Sequence, residues 1–315
     1  MTRGLPRDAI PAITGPTFAA DWQTVDGLEL RADEAVIGVE RDGEARAYPL
    51  RILDAHEVVN DDFGGPLLVT FCPLCGSAIN AVRKVNGEET TFGVSGFLFR
   101  NDLVMYDQAT DSLWSQIMAT AIQGELTGDT LQITPSTTTT WGEWRDAHPD
   151  TEVLLPPPKS GTITGARPRN YARNPYAGYE NTDRIGIGGD NPDDRLDPKT
   201  RVIGVSADGV SRAYPKGDVE SAGVVNDTVG DLPVVVTVSD GGTLVAYVRR
   251  LDGETVTFER EGSHLVADGS RFRPLDGVAI DGPHEGTRLE QENEVSPEFW
   301  FAWADFHPET EIWEP

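Results

Sequence analysis

Two tandem homologous units of mainly β structure, each a β-sandwich or small barrel with a few short helices at its margins, are what this sequence predicts. Three observations carry the expectation. A self-comparison at an offset of 166 aligns Val36 to Gly64 with Val202 to Gly230, with 15 of 29 positions identical. Short apolar runs such as Pro66 to Phe71 are bounded by turn residues, as strands are. The 315-residue chain is 38% hydrophobic, enough for two ordinary cores.

Residues 1–29 form an N-terminal extension and the first unit spans 30–155. Its segment AVIGVERDGEARAYP reads as a hairpin turning at Asp42-Gly43, and NAVRKVNGEETTFGV as another turning at Asn86-Gly87. One helix is expected after Pro49, where proline suits the first turn, and another over Trp141 to Ala147. Residues 156–195 are rich in Pro, Gly, Asn and Asp without periodicity and read as an irregular wrap or linker. The second unit, 196–315, repeats VIGV, RAYP and VVND, both Asp-Gly turns, and the Trp-rich segment before His-Pro, WFAWADFHPETEI. By that segment the offset has shortened to about 159.

The formal charge of −26, from 52 acidic and 26 basic residues, argues against nucleic acid and anionic lipid as partners. Only four of the basic residues are Lys, a skew expected of a chain adapted to a salt-rich cytoplasm. No apolar run approaches the roughly 20 residues of a membrane span, and no secretory signal is visible at the N-terminus. The expected location is therefore the cytoplasm, or outside it for a chain whose leader has been trimmed. The two cysteines, three apart, cannot staple a fold.

The second copy serves as an internal control. Tyr48/Tyr214, Asn60-Asp61/Asn226-Asp227, Trp141/Trp300 and His148/His307 occur in both copies and read as fold residues. His264 and His284, in turn-rich sequence, read as solvated. Copy two lacks His56-Glu57, where it has Ala222-Gly223, and the CPLCGS run from Cys72 to Ser77. It also lacks Met105, Met118, and the Ser115-Gln116 pair of SLWSQ. Cys72-Pro73-Leu74-Cys75-Gly76 has the spelling of a metal knuckle, in which one turn points two sulfurs at one ion and Gly supplies the left-handed backbone. One knuckle gives two ligands. The remainder is expected from His56, with Met105, Met118, Glu57 or water completing the set, and such a soft site favours copper or zinc. Two other readings stand beside it. Cys72 could act as a nucleophile on a small substrate with His56 as base and Ser115, Gln116 or Ser95 lining the pocket. The Cys72/Cys75 pair could instead cycle as a thiol-disulfide oxidoreductase. A metal ion or a small molecule is the expected partner; a protein partner is not legible.

Taken together, RAYPLRIL, HEVVND, TFCPLCGSA, FGVSGFLFRNDLVMYDQATDSLWSQ and AIQGELTG resemble the DUF3179 family, a domain of unknown function. The resemblance covers nearly all of copy one and extends in weakened form to copy two. It implies that the His-Glu, CPLCG and SLWSQ elements form one site, and it lends no reaction. Many relatives look exported or lipid-anchored, and the acidic, Lys-poor character resembles proteins of halophilic archaea.

Overall fold

The structure, a computed structural model, describes all residues except 24, 26, 190–192 and 293–295. The chain divides into two compact units, Met1–Asn191 and Pro192–Pro315. Both are mainly β, and four seven-residue helices occur among the described residues.

In unit two, Arg201–Ala207 and Val210–Pro215 form a hairpin edged by Glu298–Phe299 and Glu311–Ile312. A second sheet holds Val224–Val229, Leu232–Val238 and Leu244–Val248, and a third holds Glu259–Glu261, His264–Ala267 and Ser270–Phe272. Both faces of the middle sheet are buried. Val234, Val236 and Ala246 pack with Ile203, Val205 and Tyr214 of the first sheet. Val235, Val245 and Tyr247 pack with Leu265 and Phe272 of the third. A two-sheet sandwich, the architecture expected above, would leave one face of every sheet to solvent. The continuous apolar run VVV therefore makes a series of small sheets stacked in the manner of propeller blades, and the sandwich expectation is corrected.

Unit one repeats this succession and enlarges it. Its first sheet runs Thr137–Thr140, Ala35–Arg41, Glu44–Pro49, Glu152–Leu154, Phe18–Ala19. Its second runs Gly161–Thr162, Ile13–Gly15, Val58–Asp62, Pro66–Cys72, Ser77–Val82. The third runs Thr2–Arg3, Phe92–Phe99, Asp102–Asp107, Leu113–Ser115, Thr120–Gln123. Apart from Thr120–Gln123, the extra edge strands come from the N-terminal extension and from the segment read as a linker, so both belong to the fold of copy one.

The turn and helix expectations hold. Asp42-Gly43 and Asn86-Gly87 both have positive φ at the two central positions, the geometry of type I′ hairpins, as do Asp208-Gly209 and Asp252-Gly253. Helix α1 (Leu50–His56) follows Pro49 directly. Helix α2 (Trp141–Ala147) is capped by the Thr140 side chain accepting from the Glu143 amide. Copy two repeats them as α3 (Lys216–Ala222) after Pro215 and α4 (Trp300–Phe306).

The residues shared by the two copies are structural. Tyr48 Oη–H and Arg46 both donate to Asp61 Oδ2, at 2.6 and 2.8 Å, and Tyr214 and Arg212 do the same to Asp227 at 2.9 and 2.6 Å. Asn60 clasps the backbone of Phe92 through both its amide atoms, and Asn226 that of Phe258. His148 lies tilted against Trp144 with ring centroids 4.0 Å apart, and His307 stacks on Trp303 at 3.8 Å. One reading changes: His284 is buried and its Nε2 pairs with Asp268 at 2.9 Å, so it is not a solvated histidine.

The tryptophans also explain the glycine of the VIGV repeat. A Cβ on Gly38 would lie 2.3 Å from the Trp144 ring, and one on Gly204 2.1 Å from that of Trp303. Neither ring can retreat, because each indole N–H is tied at 2.9 Å to a threonine hydroxyl, Thr151 or Thr310. Gly204→Ala is therefore expected to destabilise the protein by roughly 1–3 kcal/mol. Urea unfolding checks this, and an unchanged midpoint would mean the ring has room to move.

Candidate metal centre

The strand Pro66–Cys72 pairs with Ser77–Val82 so that Cys72 stands opposite Ser77. The intervening residues close a tight turn in which the Gly76 amide donates to the Cys72 carbonyl at 2.8 Å. Gly76 has φ +68°, the left-handed conformation that knuckles need. Neither cysteine is in a disulfide, and both are buried. They lie beside the carbonyl of Asn101, at 3.8 Å for Cys72 Sγ and 3.4 Å for Cys75 Sγ.

Asn101 sits at the tip of the hairpin joining Phe92–Phe99 to Asp102–Asp107, where Arg100 and Asn101 both have positive φ. The next residue, Asp102, completes a three-membered group. A carboxylate oxygen of Asp102 and the sulfurs of Cys72 and Cys75 all lie within 4.8 Å of one another. Asp102 is fully buried, and its two oxygens differ. Oδ2 accepts from the Ser115 hydroxyl at 2.7 Å and the Ile117 amide at 3.2 Å. Oδ1 is buried with no hydrogen-bond partner, a costly state for a carboxyl oxygen. Burial pushes the Asp102 carboxyl up to about 7, against hydrogen bonding from Ser115 and from the backbone of Ile117, Gln116 and Leu103, which pulls it down.

Glu57 and Asp54 stand close by. Glu57 caps the C-terminus of α1 with φ 58° and ψ −31°, a conformation that strains any residue with a Cβ. Copy two has glycine there, with φ 76° and ψ −51°. Burial, then the charges of Asp102 and Asp54, raise the Glu57 carboxyl to about 8, and the Tyr176 hydroxyl bonded to it opposes the shift. Burial alone raises Asp54 to about 7.

His56 has another task. Its Nδ1 lies 2.7 Å from the Pro11 carbonyl, which can only accept, so Nδ1 carries the proton. Nε2 therefore accepts from the Tyr171 hydroxyl at 2.7 Å. Both nitrogens are occupied, and the group around the sulfurs has Asp102 where the sequence pointed to His56. Burial holds the ring neutral, with its pKa pushed down to about 4 against the Pro11 bond. Met105 is buried on the same strand as Asp102 but three residues away, hence on the opposite face. Met118 is exposed.

Ser115 and Gln116 support the site without facing an open pocket. Ser115 holds Asp102. Gln116 donates to Thr70 Oγ1 and the Ser77 carbonyl, at 3.1 and 3.3 Å, and accepts from the Ser77 hydroxyl at 3.0 Å. It thus braces the strands that carry the cysteine turn. Ser95 is likewise engaged, with the Val104 carbonyl and the Phe97 amide.

Asp102, Asp54 and three tyrosines are what the sequence reading passed over. Tyr171, Tyr176 and Tyr179 come from the wrap: Tyr171 bonds His56, Tyr176 bonds Glu57, and Tyr179 donates to the Leu74 carbonyl inside the cysteine turn at 3.0 Å. A signal for Asp102 was present in the repeat. Phe92 and Trp114 meet edge to face, as do Phe258 and Phe272. The first pair is 22 residues apart and the second 14, so copy two is eight residues shorter over the stretch that includes the hairpin tip at Asn101 and Asp102.

The family model described as "Protein of unknown function (DUF3179)" matches residues 7–310, nearly the whole chain, which therefore belongs to that family. No curated protein and no solved structure matches it. No helix among the described residues is long and apolar enough to cross a membrane.

The buried carboxyls set a pH dependence. An acid whose folded pKa is raised keeps its proton where the unfolded chain has lost it, so stability falls as pH rises through the folded value. His56, with a lowered value, acts in the opposite sense, and its contribution is complete once pH exceeds its ordinary 6.5. Between about pH 6.5 and 8.5 only the acids remain. In chelator, wild-type protein is expected to lose on the order of 1 kcal/mol more than Asp54→Asn over that interval. Denaturant midpoints at the two pH values check this, and parallel losses would show that Asp54 ionises normally.

Proposed function

We propose that this DUF3179 protein binds a soft metal ion in its first unit through Cys72, Cys75 and Asp102. The observation that supports it most is the Asp102 carboxyl: one of its oxygens is buried without a hydrogen-bond partner among the described residues, and a carboxylate oxygen lies with the sulfurs of Cys72 and Cys75 in a group no more than 4.8 Å across. A carboxyl oxygen in that state gains most from a cation. Two sulfurs and one oxygen, with neither methionine adjoining, suit Zn(II) better than Cu(I), whose preference runs to thiolates and thioethers. Ser115 and the Ile117 amide hold Oδ2 and so turn Oδ1 toward the metal, the outer-sphere role that tunes affinity in such sites.

Three protein donors leave one position of a tetrahedral zinc for water or substrate, the pattern of catalytic rather than structural sites. Glu57, kept in a strained conformation beside the site, is a group able to move a proton there. This supports the enzyme reading as a metal-dependent reaction on a small substrate, in preference to Cys72 acting alone. The thiol-oxidoreductase reading is less well supported. Reactive thiols sit in partly exposed, electropositive surroundings, whereas these are buried among carboxyl groups.

Purified without chelator, the wild type is expected to hold one zinc per chain and Asp102→Asn to lose it. Ser115→Ala, which leaves the donors in place, is expected to weaken zinc binding by roughly 10–100-fold. Metal analysis and competition with a chromophoric chelator measure both. Equal zinc in wild type and a Cys72→Ser/Cys75→Ser variant would overturn the proposal.

A further inference from the structure

The charge of the chain is distributed against its average at one place. Between residues 159 and 184 lie five basic residues, Lys159, Arg167, Arg169, Arg173 and Arg184, and only two acids, Glu180 and Asp183. The other segments therefore carry 50 acids against 21 bases. All five cations are exposed, and so is Arg100 at the hairpin tip. This basic stretch is the same wrap whose tyrosines bond His56, Glu57 and Leu74.

Two contacts anchor the island, one near His56 and one at the hairpin tip beside the sulfurs. Arg169 donates to the Ala9 carbonyl at 2.7 Å, two residues before the Pro11 carbonyl that holds His56, and it bears electrostatically on the His56 ring. Gly186, φ +50°, lies so close to the hairpin tip that a Cβ there would fall 2.0 Å from Asn101 Oδ1. Arg100 and Arg184 are thereby carried on two segments that meet beside Asn101, whose carbonyl faces both sulfurs. Guanidinium groups present a fork of donors that matches carboxylate and phosphate oxygens.

We propose that the arginine-bearing wrap is the entry and recognition surface for a small oxyanion, of carboxylate or phosphate type, that is the ligand of the thiol-carboxylate site. The surrounding negative field decides its size. A polyanion long enough to leave the island meets repulsion from the rest of the surface, whereas a small anion sees only the local arginines. The proposal names the ligand of the site proposed above, yet anion capture by the arginines does not require the metal, so the two can fail separately.

The test titrates inorganic phosphate against chloride at constant ionic strength by calorimetry, using zinc-loaded protein. Wild type is expected to bind phosphate in preference to chloride, and Arg169→Gln/Arg173→Gln to bind it at least fivefold more weakly. Since Arg169 also holds Ala9, Arg173→Gln alone is measured beside it and is expected to weaken binding in the same direction. Arg271→Gln, at an exposed ion pair with Asp281 in unit two, is expected to change nothing. No preference for phosphate, or equal affinity in the double variant, overturns the proposal. In Cys72→Ser/Cys75→Ser protein, retained phosphate binding upholds the anion surface even where zinc binding has failed. Loss of phosphate binding there with the arginines intact shows that the wrap does not recognise the anion and overturns it.

Discussion

The arrangement depends on one divided carboxyl group. Asp102 is fully buried, one oxygen is held by Ser115 and the Ile117 amide, and the other has no partner among the described residues. Much of the surrounding structure maintains that division. The hairpin from Phe92 to Asp107 places Asp102 beside the cysteine turn. Gln116 braces the paired strands that carry the turn. The wrap then covers the group from outside through Tyr171, Tyr176 and Tyr179. Burying a thiol pair with three carboxyl groups is unfavourable for an empty protein, and a cation bound there would reverse that balance.

Comparison of the two copies separates what the fold needs from what the site needs. Copy two keeps the Tyr214–Asp227–Arg212 cluster, the Asn226 clasp, the Trp303–His307 stack and the glycine beneath Trp303. These hold sheets and helices together without reference to chemistry. It has relaxed Glu57 to Gly223, the residue the backbone prefers there. It has also shortened the hairpin that would carry Asn101 and Asp102. Each loss removes a feature that costs stability or serves only the site.

Much of the fold was legible because its determinants are local. Asn86-Gly87 and the Asp-Gly pairs mark hairpins, Pro49 and Pro215 mark helix starts, and the repeat marks the two units. The stacking of small sheets was less legible. VVV in Leu232–Val238 is compatible with any doubly buried strand, and only the packing partners show that both faces are covered. At the site, the cysteine turn was read directly, since both cysteines and the glycine are adjacent in sequence. Residue type does not reveal which lone pairs are already used, and at His56 Pro11 and Tyr171 use both nitrogens. Asp102 gave no signal of its own because aspartate is ordinary in so acidic a chain. The wrap's tyrosines follow no periodic pattern, so only their contacts reveal their work.

X-ray absorption at the zinc edge of the loaded protein tests the central claim most directly. Two sulfurs at about 2.3 Å and oxygen at about 2.0–2.2 Å, without the outer-shell scattering of an imidazole ring, are predicted for a centre built on Cys72, Cys75 and Asp102. An imidazole signature would place His56 on the metal and contradict the account, as would a coordination shell without sulfur.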